Sequence, residues 1–148
     1  MSDTLFSFIP TNPEIELSAE QIISLELLDF KDAEVEINSS EKIMFADAGE
    51  NFESVSCPFC GATLSEWWSK AMDAAYSDTI GFVCLAIVTP CCHKDSSLND
   101  LKYDWPQGFY KSMVLINPSW ETPFDSEMVL YEIERVTGIT WRLVIARI

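Results

Sequence analysis

Apolar and polar residues follow both strand-like and helix-like patterns along this chain. Alternation of the two types predicts strands, whereas apolar residues three or four positions apart predict helices. The predicted strands are residues 5–9, 34–37, 42–45, 80–88, 109–116 and 140–148. The predicted helices run from Ser18 to about Phe30, from Thr63 to about Tyr76, and from Asp125 to Gly138.

Capping signals support the starts of these helices. Ser18 with Gln21, and Thr63 with Glu66, have the spacing of a capping box, in which side chains satisfy the first backbone N–H groups. Asp125 precedes the third helix as an N-cap residue. Each helix therefore has a local signal for its start that does not depend on tertiary packing.

Two patterns shape the predicted sheet. Residues 34–37 and 42–45 flank a polar turn and predict a hairpin. The unbroken apolar run 80–88 predicts a central strand buried on both faces, in which Cys84 is a small core residue. The order of elements predicts an α+β fold with two layers, in which a mostly antiparallel sheet carries helices on one face. At 148 residues, the chain is expected to form a single domain over 1–148.

The net charge of the chain limits the kinds of partner that it is expected to bind. The net charge is −15, and residues 1–53 carry 13 acidic residues and two lysines, against 11 acidic and seven basic residues in the rest. Such an acidic chain is not expected to bind nucleic acid through phosphate contacts. The simpler interpretation of the charge is that it keeps the protein soluble and monomeric, and the alternative is that an acidic face binds a basic protein partner.

Hydropathy predicts a cytoplasmic protein without a membrane segment. The longest apolar run, 80–88, is too short to cross a bilayer, and the apolar residues 5–9 lack the basic lead of a signal peptide. Five cysteines at close spacing in such a chain indicate metal or redox chemistry rather than a disulfide scaffold.

Two short motifs hold four of the five cysteines and the only histidine. The first is Cys57-Pro58-Phe59-Cys60-Gly61, in which proline and glycine favour the tight turn that brings two thiolates to one tetrahedral metal. The second is Pro90-Cys91-Cys92-His93. Because a structural zinc site needs four nitrogen or sulfur ligands, the two motifs are predicted to meet around one zinc ion as a knuckle insertion at 57–60 and 91–93.

The second motif leaves the remaining ligands open. In an extended segment Cys91 and His93 point to the same side, whereas in a sharp turn the adjacent Cys91 and Cys92 both reach one metal. We favour Cys57, Cys60, Cys91 and Cys92 as the ligand set, with His93 as the alternative ligand.

A redox function is the main alternative. Cys57-Pro58-Phe59-Cys60 also resembles the active site of glutaredoxins, in which the first cysteine is a low-pKa nucleophile at a helix N-terminus. Spacing argues against it, because some 50 residues precede the motif and segment 51–56 is not an apolar strand. A small zinc-dependent enzyme is a third possibility, with Glu66 or Asp95 as its base.

The paired motifs resemble a split zinc ribbon. With the segments 97–101 and 103–106, they are also similar to a family of small, acidic, uncharacterised bacterial proteins over most of residues 47–116. This resemblance implies a bacterial cytosolic protein and brings no assigned activity. His93 stands where that family's pattern has a glycine.

The sequence therefore favours a zinc-stabilised, non-catalytic binding module that acts through protein–protein contacts. Tyr103, Asp104 and Trp105, in a loop with a helical turn, are the candidate binding residues. The simpler interpretation of Tyr103 and Trp105 is that they cover the metal loops.

Overall fold

The strands and helices are described by a computed structural model for residues 4–30, 33–119, 121 and 123–148. The strands are β1 (Thr4–Pro10), β2 (Glu34–Ala46), β3 (Val55–Ser56), β4 (Tyr76–Ser77), β5 (Gly81–Phe82), β6 (Ala86–Val88), β7 (Asp95–Ser97), β8 (Lys102–Tyr103), β9 (Gly108–Asn117) and β10 (Trp141–Arg147). The helices are α1 (Ala19–Glu26), α2 (Ser65–Ala75) and α3 (Ser126–Thr137), with a 3₁₀ turn at Leu98–Asp100. No helix in these ranges has the length and apolarity needed to cross a bilayer.

Six strands form one open sheet in the order β10-β1-β9-β2-β5-β4. Neighbouring strands are antiparallel except β2 and β5, which are parallel. Two short antiparallel pairs, β3–β8 and β6–β7, lie outside this sheet. The predicted α+β class with a mostly antiparallel sheet is confirmed.

The cysteine motifs lie in a segment inserted between two strands that are neighbours in the sheet. β2 ends at Ala46 and β9 begins at Gly108, and the two strands pair along most of their lengths. Residues 47–107 lie between these strands and carry α2, both short strand pairs and both cysteine motifs, together with β4 and β5, which extend the sheet beside β2. The sheet thus fixes where this insertion begins and ends.

One hydrophobic cluster lies between the sheet and two helices. Leu25 of α1 and Ile133 of α3 pack against Phe8, Ile116 and Trp141, which come from three adjacent strands. The helical spacing of these apolar residues gives each helix one face to bury. This cluster stabilises the part of the fold that carries the insertion.

A second hydrophobic cluster joins the insertion to the sheet. Phe109 of β9 and Phe82 of β5 contact edge to face with ring centroids 4.9 Å apart, and Leu64, Leu98 and Cys57 pack into the same cluster. Phe109 and Leu98 are fully buried. The first cysteine motif is therefore anchored in an apolar core on one side.

The predicted hairpin over residues 34–45 is wrong. β2 is one continuous strand whose two halves both pair with β9, and a bulge separates them. Between Ser39 and Met44, β2 has four residues where β9 has only Lys111. Asn38 and Ser39 of the predicted turn stay paired with β9, and the bulge begins after them, because the long partner strand offers hydrogen bonds to both halves.

The predicted central strand over residues 80–88 is also wrong. The run is divided between β5 at the sheet and β6 in the pair with β7, and Val83 between them is 62% exposed. Cys84, predicted to be a core residue, is exposed. The chain turns away from the sheet here, and this turn carries the second cysteine motif towards the first.

The predicted helix ends are partly correct. Ser18 and Gln21 form the capping box as predicted, but α1 ends at Glu26 rather than near Phe30. α3 matches its prediction, with Asp125 as N-cap and Gly138 in the left-handed conformation at its end. The Thr63–Glu66 capping box is wrong, because α2 begins after Leu64 with no side-chain cap. Thr63 is instead bridged to Ser56 across the first cysteine motif.

Candidate metal centre

The sulfurs of four cysteines from the two motifs lie together. Those of Cys57, Cys60, Cys91 and Cys92 are all within 4.8 Å of one another. The separations are 3.7 Å between Cys57 and Cys92, 3.3 Å between Cys60 and Cys91, and 3.9 Å between Cys91 and Cys92. The structure thus brings together the four favoured cysteines, and His93 is not part of this set.

The first motif forms a closed loop at the end of an antiparallel bridge. Ser56 and Thr63 form the bridge, and the loop runs through the residues between them. The N–H of Cys57 donates to the carbonyl of Ala62 at 2.9 Å, and the N–H of Gly61 donates to the carbonyl of Cys57 at 3.0 Å. Gly61 adopts a φ of +76°, which glycine takes without steric cost.

The second motif forms the same loop. Val88 and Asp95 pair across its base, as Ser56 and Thr63 do in the first loop. The N–H of Thr89 donates to the carbonyl of Lys94 at 2.9 Å, and the N–H of His93 donates to the carbonyl of Thr89 at 2.8 Å. The hydrogen bonds therefore align residues 57–62 with residues 89–94, position by position.

This alignment explains the backbone of His93. His93 corresponds to Gly61 and has a φ of +56°, the left-handed region that a residue with a Cβ enters only at a cost. The loop needs this conformation to close, so the glycine expected here from the family pattern has a physical basis. His93 is exposed.

The alignment also assigns Thr89 to the position of a cysteine. Cys92 corresponds to Cys60, but Thr89 corresponds to Cys57 and Cys91 corresponds to Phe59. The hydroxyl oxygen of Thr89 accepts from the N–H of Lys94 at 2.9 Å and lies 3.2 Å from the sulfur of Cys92. The second sulfur of this loop thus comes from Cys91, at the position of Phe59 in the first loop. Thr89, at the position of Cys57, contributes hydrogen bonds and no sulfur.

Sequence reasoning missed this role of Thr89. The signal was present, because Thr89-Pro90 and Cys92 repeat the spacing of Cys57-Pro58 and Cys60. Thr89 is fully buried, which is the usual situation of a polar side chain that has its hydrogen bonds satisfied.

The four sulfurs form an inner and an outer pair. Cys57 is 1% exposed and Cys92 is half-buried, and both pack against the second hydrophobic cluster. Cys60 and Cys91 are exposed. The centre therefore lies at the protein surface with its inner side in the core.

The hydrogen bonds at the sulfurs shift two thiol pKa values in opposite directions. Desolvation alone would raise the pKa of Cys57, but donation from the backbone N–H groups of Cys60 and Phe59 and from neighbouring thiols lowers it to about 6. Desolvation and the neighbouring sulfurs raise the pKa of Cys91 to about 12. Without a cation the cluster thus concentrates negative charge on Cys57, whereas a bound metal would hold all four as thiolates.

The separations fit a tetrahedral metal site. Zinc–sulfur bonds of about 2.3 Å at tetrahedral angles place the sulfurs roughly 3.8 Å apart, close to the distances in this cluster. All five cysteines of the chain are free thiols. These four cysteines could therefore hold a metal ion, and a set of soft sulfur ligands suits zinc.

Few other contacts join the two loop tips. Lys94 of the second loop lies over the ring of Phe59 in the first, with its ammonium nitrogen 5.1 Å from the ring centre. An exposed cation–π contact of this kind contributes about 0.5–1 kcal/mol. A metal bound to sulfurs from both loops would join them far more strongly.

The three candidate binding residues differ in their surroundings. The hydroxyl of Tyr103 donates to the carbonyl of Leu98 at 2.7 Å and accepts from the indole N–H of Trp68 at 3.2 Å. Burial raises the pKa of Tyr103 to about 12. Tyr103 thus stabilises the strand that leads into the first loop, since it pairs with Val55 directly before that loop. Asp104 and Trp105 are exposed, the latter at 39%.

A groove of about 560 Å³ opens beside Cys91, one of the two outer cysteines. Cys91 lines it together with Leu64, Trp67 and Pro90, and Glu66 lies on the same wall. Of the two acids considered as catalytic bases, Glu66 therefore lines the same groove as Cys91. Asp95 lies in β7 at the base of the second loop.

No family model, curated protein or solved structure matches this chain. The split-ribbon resemblance of the motifs has a geometric counterpart in the cysteine cluster, while the bacterial family stays a prediction.

Substitution distinguishes the possible fourth ligands. We expect Cys91→Ala to lose zinc, because it leaves three sulfurs, and His93→Gly to keep it while removing the left-handed strain. Adding Thr89→Cys to Cys91→Ala should restore zinc, because it places a thiolate where Cys57 lies in the first loop. Zinc content per chain, measured by elemental analysis, checks all three variants. Zinc kept by Cys92→Ala and lost by His93→Gly would contradict this ligand set.

Proposed function

We propose that the chain is a zinc-stabilised, non-catalytic binding module that acts through protein–protein contacts. The observation that carries the proposal is the convergence of four cysteine sulfurs, from two loops of the same architecture, at distances suited to a tetrahedral metal. The ligands are Cys57, Cys60, Cys91 and Cys92, and the metal is zinc. Its role is to hold together two loops that share little else.

A closed shell of four thiolates supports a structural rather than a catalytic metal. A catalytic zinc keeps a position for water or substrate, whereas four sulfur ligands occupy the tetrahedron. The centre then orders the insertion 47–107 and presents its surface to a partner.

Two observations make dithiol redox chemistry the weaker candidate. Cys57, the nucleophile in that hypothesis, is almost fully buried, although such a thiol must be reached by its substrate. α2 begins at Ser65, so the N-terminus of this helix does not act on Cys57 as it does in glutaredoxin-like sites.

The surface beside the centre is the proposed contact region. Trp105 and Asp104 project beside the pair β3–β8, and the exposed indole offers apolar area next to a carboxylate. The acidic excess in residues 1–53 favours a partner with a basic surface and a fast, salt-dependent association.

Affinity capture with matched baits tests this proposal. We expect wild-type protein carrying zinc to retain a basic protein from a bacterial lysate, and Trp105→Ala to lose it. Tyr131→Ala, which removes an aromatic side chain 60% exposed on α3, serves as the control and should retain the same protein. Retention should fall as salt screens the charges. Identical capture by all three baits, or no capture by wild type, would contradict the proposed surface.

A further inference from the structure

The inner and outer sulfurs of the cluster differ in the polar donors around them. The sulfur of Cys57 accepts from the N–H of Phe59 at 3.4 Å, and the sulfur of Cys92 lies 3.2 Å from the hydroxyl of Thr89. Among the hydrogen bonds of the described residues, the sulfurs of Cys60 and Cys91 contact only other sulfurs. Donors at a thiolate withdraw its charge, so the outer sulfurs keep more electron density for reaction.

Of the two outer cysteines, Cys91 lines the groove and Cys60 does not. The apolar residues Leu64, Trp67 and Pro90 line it as well, beside the polar residues Thr63, Ser65 and Glu66. Cys91 also occupies the loop position that corresponds to Phe59, whose ring is exposed. The shifted position of this cysteine therefore places an exposed thiol residue at the wall of a partly apolar groove.

We propose that Cys91 is a nucleophilic thiolate of the metal centre and takes an alkyl group from a small, soft carbon electrophile bound in this groove. The inference rests on the proposed zinc site, because zinc keeps the sulfur deprotonated at neutral pH. The apolar side chains of Leu64, Trp67 and Pro90 bind the carbon portion of the electrophile and place it next to Cys91.

The reaction is a single substitution. A lone pair on the sulfur of Cys91 forms a new sulfur–carbon bond, the bond from that carbon to its leaving group breaks, and the leaving group departs with the electron pair. No proton moves and nothing is oxidised, because the sulfur is already a thiolate. The product is a thioether, a neutral and weaker ligand, so the centre becomes less negative while three thiolates still hold the zinc.

Alkylation of the zinc-loaded protein tests this proposal. The probes are iodoacetamide and its N-phenyl analogue, used on Cys84→Ser so that the exposed thiol outside the cluster is absent. We expect the first adduct on Cys91, located by peptide mass mapping. The aromatic probe should react about tenfold faster, since burying a ring in the groove gains binding energy of that order.

The variant Thr89→Cys, Cys91→Ala in the same background is the matched control, because it should keep zinc and lose the fast adduct. Zinc content is measured before each reaction. Zinc-loaded protein that forms its first adduct on Cys60, or none, would overturn the inference and leave the zinc site standing. Protein without zinc would overturn both proposals.

Discussion

Cys57→Ser is expected to abolish zinc binding and to lower the melting temperature of the protein. The side chain of Cys57 is almost fully buried, accepts a backbone N–H, and joins the metal centre to the second hydrophobic cluster. A ligand bound only by the native state, at a concentration about a thousand times its dissociation constant, adds roughly 4 kcal/mol to the free energy of unfolding. The variant should lose about this much, measured by thermal or denaturant unfolding beside elemental analysis.

Cys84→Ser is the matched control for that variant. Cys84 is exposed and lies outside the cluster, so its replacement should keep zinc and change the free energy of unfolding by no more than about 0.5 kcal/mol. Chelation of zinc from the wild type should reproduce the loss seen in Cys57→Ser. If Cys57→Ser keeps its zinc and its stability, the metal centre is not built as described.

Phe109→Ala should cause a comparable loss of stability through packing alone. Phe109 is fully buried in β9 and its ring packs against those of Phe45 and Phe82, each with ring centroids 4.9 Å away. Removing a buried phenylalanine ring costs about 3–5 kcal/mol. Because this ring belongs to the same cluster as Cys57, the variant should also release zinc faster to a competing chelator.

Phe8→Ala separates the effect on zinc from the general loss of stability. Phe8 is equally buried but belongs to the cluster beneath α1 and α3. We expect a similar decrease in the free energy of unfolding, measured by denaturant titration, with zinc release close to wild type under folding conditions. Equal acceleration of zinc release in both variants would show that the two clusters do not act separately on the centre.

Local signals in the sequence predicted two of the three helix starts, whereas the Thr63–Glu66 capping box does not form and Thr63 bridges to Ser56 instead. The Ser18–Gln21 capping box and the Asp125 N-cap satisfy N–H groups within one helical turn, so their outcome is largely independent of the rest of the fold. The Cys57–Cys60 spacing likewise identified a turn that is closed by its own backbone hydrogen bonds.

Features that depend on distant partners were not predictable in the same way. The bulge after Ser39 exists because β9 pairs with both halves of β2, which no pattern within residues 34–45 reveals. The apolar run 80–88 is divided between β5, which pairs with β2, and β6, which pairs with β7, and Val83 between them is exposed. Apolar runs of this length do not specify one straight element.

The set of metal ligands was only partly predictable from the sequence. Sequence spacing selected the four cysteines that the structure brings together, but left His93 as an alternative. The left-handed backbone of His93 and the substitution of a cysteine by Thr89 became evident only from the loop hydrogen bonds. The ligand set therefore follows from the repeated loop and the positions of the cysteines in it.

X-ray absorption at the zinc edge of the purified protein tests the central claim most directly. A centre formed by Cys57, Cys60, Cys91 and Cys92 predicts one zinc per chain with four sulfur neighbours at about 2.3 Å. A nitrogen or oxygen neighbour at about 2.0 Å in place of one sulfur, or protein prepared under reducing conditions that contains no zinc, would contradict it.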